Sequence, residues 1–173
     1  QLKALSGKDL TVRINSPGGD VFDGVAIYNQ LNNHDGEVHV VIDGIAASAA
    51  SIIAMAGDRI SMAETSQLMI HDSWTMAVGN EHAMREIADV LERIDGQLAT
   101  VYAARTASSS STWREIMNKD TYFTPEEAVE AKLADEVLKT NKRKKKYKKS
   151  AEMQQLKGSC LPLIKTKLRG VAI

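Results

Sequence analysis

The sequence predicts an α/β layered domain, because strand-like and helix-like segments alternate along most of the chain. Short apolar runs that are typical of buried strands occur at residues 10–14, 38–42, 59–62 and 68–71. Segments with helical character occur at residues 20–33, 49–56 and 80–104. Alternation of this kind buries one face of each element against the next layer, as in α/β domains.

The first strand-like run leads into a tight turn that opens a helix. Residues 10–14 are followed by Ser16-Pro17-Gly18-Gly19. Two adjacent glycines let the backbone come close to a ligand and present its N–H groups outward. The helix over residues 20–33 is expected to turn four apolar side chains toward the core: Val21, Phe22, Val25 and Ile27.

A serine lies where the second strand gives way to a helix. Ser48 follows the strand at residues 38–42, and the alanine-rich run at 49–56 favours a helix that Gly57 would end. At that junction the hydroxyl lies beside free backbone N–H groups and the positive end of the helix dipole, which can hold a negatively charged tetrahedral intermediate. The alternative is an ordinary N-cap serine, which needs no chemistry.

Two other polar residues follow apolar segments further along the chain. His71 ends the run at residues 68–71, and Asp120 precedes a helix that begins near Pro125. Together with Ser48 they supply a nucleophile, a base and an orienting carboxylate. Asp72 is poorly placed for the last role, because neighbouring residues on a strand point to opposite faces.

The remaining candidates have simpler interpretations. Ser51 lies one helical turn beyond Ser48 and is expected to be a small packing residue. His34 is assigned to a turn and His39 to a strand. His82 is assigned to the start of a helix, and Asp135 to a second turn.

Four motifs in order give the chain a family resemblance over residues 10–138. They are Ile14 to Gly19, Gly44 to Gly57, Met69-Ile70-His71, and Asp120 with the segment at 125–135. With these motifs the sequence resembles the ClpP-like serine peptidases, the proteolytic subunits of the Clp machine, and especially their phage and prophage relatives. The resemblance implies a Ser–His–Asp order unlike that of chymotrypsin, subtilisin or the α/β-hydrolases.

The resemblance also assigns roles to individual residues. It implies that Ser48 is the nucleophile, His71 the general base and Asp120 the residue that orients the base. The backbone N–H groups of Gly19 and Ala49 would form the oxyanion hole. Gly18 and Gly19 would contact the backbone of a peptide or unfolded protein substrate.

The fold and assembly that the resemblance implies are more specific than the alternation alone. They are a ClpP/crotonase-like superhelix of repeated ββα units with a projecting handle helix, and a homo-oligomer of stacked heptameric rings. Residues 80–104 would be the handle, with apolar residues at spacings of three and four: Met84, Ile87, Leu91, Ile94, Leu98 and Val101. Charged residues, Asp95 among them, are expected to lie off this seam.

Relatives of this family carry a further strand, helix and axial segment before the first catalytic strand. The printed sequence begins just before that strand, so we expect either a fragment or a chain in which the region is lost. Docking to a Clp-type ATPase unfoldase depends on that region and is left open. The hydrolysis itself would need no ATP.

Composition limits the other possibilities. Cys160 is the single cysteine, so no intramolecular disulfide can form. The sequence has no metal-ligand spacing and no Walker pattern, and we expect no metal and no cofactor. No apolar run is long enough to cross a membrane, and we expect a cytoplasmic protein of a bacterial or phage-infected cell.

The zero net charge hides two regions of opposite sign. Residues 1–138 contain 10 basic and 21 acidic residues, whereas residues 139–173 contain 12 basic residues and a single acid, Glu152. We therefore predict a peptidase domain over 1–138 and a basic linker and tail over 139–173, with trypsin cleaving readily at 142–149. A tether to nucleic acid or to the acidic domain is the alternative, and nucleic acid is the less favoured partner.

Two other functions compete with a peptidase. One is a crotonase-fold enzyme acting on an acyl-coenzyme A thioester, which would use similar oxyanion geometry. The other is a catalytically silent ring protein of a phage head. Neither needs Ser48, His71 and Asp120 together, so their co-occurrence favours the serine endopeptidase.

Overall fold

The computed structural model describes residues 5–139 and shows the predicted α/β fold, with a curled sheet and one long helix. The strands are β1 Leu10–Ser16, β2 Val38–Ala47, β3 Arg59–Ala63, β4 Gln67–Ile70, β5 Thr121–Phe123 and β6 Glu136–Leu138. The helices are α1 Val21–Asn32, α2 Ala49–Ala54, α3 Glu81–Thr106, α4 Ser110–Met117 and α5 Pro125–Glu130. Apart from Lys139, the basic tail lies outside the described residues.

Strand β2 organises the sheet, because it pairs in parallel with β1, β3 and β4. Its first residues lie between β1 and β3, and its last three, Ile45 to Ala47, pair with β4. The prediction ended this strand at Ile42, five residues too early. The carboxyl ends of β1, β2 and β4 therefore meet at one edge, and β5 adds antiparallel to β4.

The central strands β2, β3 and β4 are buried over most of their length, because both faces of the sheet are covered there. The side chains of Val40, Ile42, Ile60, Leu68 and Ile70 have no exposed surface. This is why continuous apolar runs, rather than alternating ones, marked the strands in the sequence.

Helix α1 packs against the core through two of the four predicted residues, Val21 and Val25, but not through the other two. Phe22 is 66% exposed and Ile27 is 43% exposed, so the prediction was wrong for both. The buried stripe instead follows helical spacing through Gly24 and Leu31. At its centre, a Cβ on Gly24 would lie 2.9 Å from the Cβ of Ala49, so glycine lets α1 lie directly against α2.

The two halves of helix α3 differ: the second half is packed against the domain, and the first half projects from it. Its second half packs on α4, where the rings of Tyr102 and Trp113 lie 5.5 Å apart. No residue of its first half, up to Arg93, is buried. Among residues 5–139, no helix combines the length and the apolar character needed to cross a membrane.

Candidate active site

Ser48 occupies the single position between β2 and α2, in a backbone conformation that L-residues rarely adopt. Its φ is 54° and its ψ is −128°. The side chain makes no capping hydrogen bond to α2, so the N-cap alternative does not describe this serine. Backbone hydrogen bonds hold the position, from Ser48 N to Met69 O over 3.0 Å and from Ser51 N to Ser48 O over 2.9 Å. The hydroxyl is left available for another partner.

The Pro-Gly-Gly turn presses directly against this serine. Gly18 has a φ of +99°, and a Cβ added to it would lie 2.7 Å from both Ala47 O and Ser48 Cβ. No real side chain fits there, so the position requires glycine for space as well as for conformation. Gly19 follows it into the open cleft, and Asp20 then caps α1 by accepting hydrogen bonds from Phe22 N and Asp23 N.

His71 follows β4, which pairs with the end of β2, and this brings its ring to the serine. Its Nε2 lies 2.8 Å from Ser48 Oγ. The imidazole is largely shielded, with 16% of its side chain exposed. If Ser48 Oγ donates to Nε2, the single proton of the neutral imidazole is on Nδ1, the ring nitrogen that points away from Ser48.

Asp120 lies on the far side of the imidazole. Its Oδ1 is 3.8 Å from His71 Nδ1, which is within ion-pair range but longer than a hydrogen bond. The carboxylate is 74% exposed, and the residue has a φ of 48°. Catalytic hydrogen bonds are often long before substrate binds, so this distance is compatible with an orienting role. The structure thus brings together Ser48, His71 and Asp120.

The two predicted oxyanion donors lie beside the serine. Ala49 is the first residue of α2, and the first N–H groups of a helix have no acceptor within it. Gly19 lines the same cleft as Ser48, Ala49 and His71. Both predicted donors thus belong to residues that line the cleft next to Ser48, and their role in binding an oxyanion stays a prediction.

A cleft of about 550 Å³ opens from the serine and histidine. Its far wall is the inner face of α3, with the apolar side chains Ile87, Val90, Leu91, Ile94 and Leu98. Trp74 and Tyr102 also line it. Several residues of the predicted handle seam therefore face the cleft of their own chain. Such a cleft suits an extended chain with apolar side chains.

A buried acidic residue behind the histidine was missed by sequence reasoning. Asp95 was placed off the apolar seam, but it is only 3% exposed, so that expectation was wrong. Its Oδ1 accepts hydrogen bonds from Ser73 N over 2.7 Å and from Ser73 Oγ over 2.6 Å. Arg114 contacts it at 3.3 Å and also donates to Asp72 over 2.6 Å.

This cluster anchors the two residues that follow His71 to α3 and α4. Burial raises the pKa of the Asp72 carboxyl, and the neighbouring Arg114 guanidinium opposes that rise. The sequence did contain a signal for Asp95, since Leu91, Leu98 and Ala99 lie four, three and four residues away on one helix face.

The other candidates are engaged elsewhere. His34 Nε2 lies 2.7 Å from Lys8 O, and His39 Nε2 lies 2.7 Å from Ser61 Oγ. His82 is exposed at the start of α3. Asp135 accepts a hydrogen bond from Ile60 N over 2.6 Å, which fits the turn it was expected to shape.

Comparison with known proteins gives one consistent result. Residues 1–141 match the Clp protease family. The chain is 35% identical over 133 residues to the ATP-dependent Clp protease proteolytic subunit 1 of Prochlorococcus marinus, covering 76% of this chain and 68% of that protein. It is 33% identical over 135 residues to the corresponding subunit of Bacteroides fragilis, covering 76% of this chain and 65% of that protein. It is 30% identical over 141 residues to the corresponding subunit of Ligilactobacillus salivarius, and this match covers 80% of this chain and 71% of that protein.

This α/β domain has a serine hydrogen-bonded to a histidine at the mouth of an apolar cleft. These are the parts that serine hydrolysis requires. The matches are more specific than this chemistry. The chain belongs to the Clp protease family, and it is a peptidase. It spans about two thirds of the length of the relatives described above.

Proposed function

We propose that this protein is a serine endopeptidase in which Ser48 is the nucleophile, His71 the general base and Asp120 the orienting acid. The observation that carries the proposal is the 2.8 Å contact between Ser48 Oγ and His71 Nε2. It is a nucleophile and base within hydrogen-bond reach, at the open end of a cleft.

In this mechanism Ser48 Oγ attacks the carbonyl carbon of the scissile peptide bond while His71 Nε2 takes its proton. The oxygen of that carbonyl becomes negatively charged and accepts hydrogen bonds from the N–H groups of Ala49 and Gly19. His71 then returns the proton to the leaving amine, and a water molecule hydrolyses the acyl-enzyme by the same steps in reverse. Asp120 stabilises the imidazolium that forms in each half-reaction.

The substrate we propose is an extended peptide or unfolded protein with apolar side chains. The Gly18-Gly19 turn offers close backbone approach on one side of the serine. The apolar face of α3 forms the other side, and it would cover a side chain next to the scissile bond.

We further propose that the active form is a ring-shaped homo-oligomer, two stacked heptamers as the family resemblance implies. The exposed apolar residues that lead into α3 support an assembly, since large apolar side chains clustered at a surface mark interaction sites: Trp74, Met76 and Val78. Relatives are named ATP-dependent, and a Clp-type ATPase is the partner we propose for delivering folded substrates. The proposed location is the cytoplasm.

The sequence left two alternatives to a peptidase, a silent ring protein and an acyl-coenzyme A enzyme. Neither accounts for a serine held at positive φ and bonded to a histidine. Backbone strain of this kind costs about 1–3 kcal/mol and persists where surrounding structure and function require it. The strained serine therefore favours the peptidase.

The test is labelling with a fluorophosphonate probe, together with turnover of a short fluorogenic peptide. We expect Ser48→Ala to abolish both, and His71→Ala to do nearly the same, because losing a triad member lowers rates by several orders of magnitude. Turnover retained by Ser48→Ala, with Ser51→Ala inactive instead, would show that the assignment is wrong.

A further inference from the structure

Two buried hydroxyl groups form a chain of hydrogen bonds that ends on the carbonyl oxygen of Ser48. Ser51 Oγ donates to Ser48 O over 2.6 Å, and Tyr102 Oη lies 2.7 Å from Ser51 Oγ. A hydroxyl has one hydrogen, and Ser51 uses its own on Ser48, so Tyr102 must be the donor to Ser51. The chain therefore runs from Tyr102 to Ser51 to the Ser48 carbonyl.

Both hydroxyls are sealed inside the protein. Ser51 has no exposed surface and Tyr102 is 2% exposed. Burial raises the pKa of Tyr102, so its hydroxyl keeps the hydrogen that it donates. Further hydrogen bonds fix the backbone of Tyr102. Its carbonyl accepts a hydrogen bond from Thr106 Oγ1, and Thr106 Oγ1 accepts one from Trp113 Nε1.

The carbonyl at the end of this chain belongs to the same peptide unit as the N–H of Ala49. That unit is planar and trans, so its C=O and N–H point in opposite directions. Two donors, Ser51 N at 2.9 Å and Ser51 Oγ at 2.6 Å, hold the carbonyl from the protein interior. They thereby fix the direction in which the Ala49 N–H points on the cleft side.

We propose that Tyr102 and Ser51 are positioning residues that aim and polarise the Ala49 N–H toward the substrate oxyanion. This inference rests on the proposed function, in which Ala49 is an oxyanion donor. Hydrogen bonds in a chain strengthen one another, so each hydroxyl makes the peptide unit a stronger donor at its other end. An oxyanion exists only during the reaction, so the relay acts on kcat and leaves KM nearly unchanged.

The chain offers a closely matched control. Ser66 is also buried, 1% exposed, and its Oγ also donates to a carbonyl three residues earlier, Ala63 O at 2.9 Å. Ser66→Ala and Ser51→Ala thus each remove a hydrogen bond from a serine hydroxyl to a backbone carbonyl, and Ser51→Ala also removes the acceptor of Tyr102 Oη, whose bond Tyr102→Phe tests by itself. Ser66 lies outside the cleft lining, and Ser51 adjoins the proposed oxyanion hole.

The experiment measures kcat and KM for a fluorogenic peptide, and the affinity of a peptide boronate that mimics the tetrahedral intermediate. Loss of a whole oxyanion donor lowers kcat about 10²–10³-fold, so misorienting one should lower it about tenfold in Ser51→Ala. Tyr102→Phe, which removes one oxygen atom, should lower kcat severalfold. KM should change less than about twofold, boronate affinity should fall in parallel with kcat, and Ser66→Ala should match the parent.

The relay is refuted if Ser51→Ala behaves like Ser66→Ala, or if Tyr102→Phe keeps the parental kcat. Should Ser51→Ala lack a cooperative melting transition, Tyr102→Phe decides alone, because it removes a single buried atom. Ser48→Ala is measured beside them. Turnover in Ser48→Ala overturns the proposed function, whereas an inactive Ser48→Ala with parental rates in both relay variants overturns the relay only.

Discussion

Two regions meet at the cleft and are built in opposite ways. The serine unit, residues 38–57, is buried over most of its length, with Ser48 at its bend. The outer wall, residues 72–93, contains no buried residue, and Val78 in it is fully exposed. The geometry of the nucleophile is therefore set by the protein's own core, whereas the wall facing it has apolar surface that residues 5–139 leave uncovered.

The difference teaches which properties each region can control. A residue packed on all sides transmits a small shift directly to the Ser48 backbone, because protein interiors are close-packed. A projecting wall tolerates change in the isolated chain and should respond mainly to what packs against it. Changes in the serine unit should then alter the rate of chemistry, and changes in the wall should alter assembly.

Among changes outside the proposed triad, the largest effect that we expect is from Gly18→Ala in the turn that touches the serine unit. The new Cβ would lie 2.7 Å from Ser48 Cβ, at a φ of +99°, and must displace the nucleophile. Misplacement by about 1 Å can cost a factor of about a hundred in rate, so kcat/KM should fall about a hundredfold.

Gly19→Ala is the matched comparison, because Gly19 also has a positive φ, +158°, but a Cβ there meets nothing within 4 Å. Its loss of activity should be smaller by a factor of ten or so on steric grounds. Peptide turnover and melting temperature are measured for both variants. Equal losses would show that the clash with Ser48 is not what matters.

A smaller effect on chemistry, with a large effect on assembly, is expected in the outer wall. Replacing Leu91 and Ile94 by aspartate should split stacked rings into single rings or smaller species, because burying unpaired carboxylates is costly. Light scattering gives the mass and peptide turnover the activity. A parent protein that is monomeric, about 19 kDa from its 18.9 kDa chain, and fully active would refute the assembly.

Leu91 and Ile94 also line the cleft, so a second variant separates the two roles. Met84 belongs to the same seam but lies outside the cleft lining. Met84→Asp should reduce the mass while single rings keep reacting with a fluorophosphonate. If mass changes only in the cleft-lining variants, the seam is not the contact between rings.

The third prediction concerns the residue where the wall joins the body. Asp95 is the first buried residue along α3, and its loss would leave the two Ser73 donors without an acceptor and Arg114 with Asp72 as its remaining carboxylate partner. Asp95→Ala should lower the free energy of unfolding by about 2 kcal/mol. Asp95→Asn keeps an oxygen acceptor for Ser73 and should lose less. Urea unfolding ranks the two, and the same value for both would mean that the acceptor at Ser73 contributes nothing.

The smallest effect is expected at the far edge of the sheet, which belongs to neither region. Glu136 accepts hydrogen bonds from Ser61 Oγ and Arg59, and these lower its pKa. A carboxyl whose pKa is lower in the folded state stabilises the fold above its unfolded pKa, and this contribution is lost as pH falls through the folded pKa. Glu136→Gln should therefore be slightly less stable at neutral pH and equal to the parent at the acid end, with unchanged peptide turnover. A stability difference that persists in acid would contradict this.

The sequence predicted the parts of the fold that depend on local pattern. Buried parallel strands read as continuous apolar runs, and the long amphipathic helix read as a regular spacing of apolar residues. Helix α4 was not predicted, and β2 was ended too early, because its last residues are a strand only through pairing with β4. Phe22 and Ile27 were misplaced because the contact face of α1 runs along the helix through Val21, Val25, Tyr28 and Leu31, and both residues lie off it.

For the site, resemblance supplied the residues and the structure supplied their distances. Ser48 and His71 lie in contact, Asp120 stands further off, and all three roles stay predictions until the variants are measured. Helical spacing marked Asp95 as facing the core, but the polar contacts of Asp95 and Tyr102 could not be predicted, because their partners lie 19 or more residues away in sequence: Ser73, Arg114 and Ser51. Such pairs exist only in the folded chain.

The positive φ of Ser48 implies that one residue lowers the stability of the folded protein and at the same time supplies the catalytic hydroxyl. Glycine would relax that backbone at no steric cost, whereas serine keeps the hydroxyl and the tension together. Ser48→Gly should therefore raise the melting temperature while it removes the nucleophile, which locates a trade between stability and catalysis at a single residue.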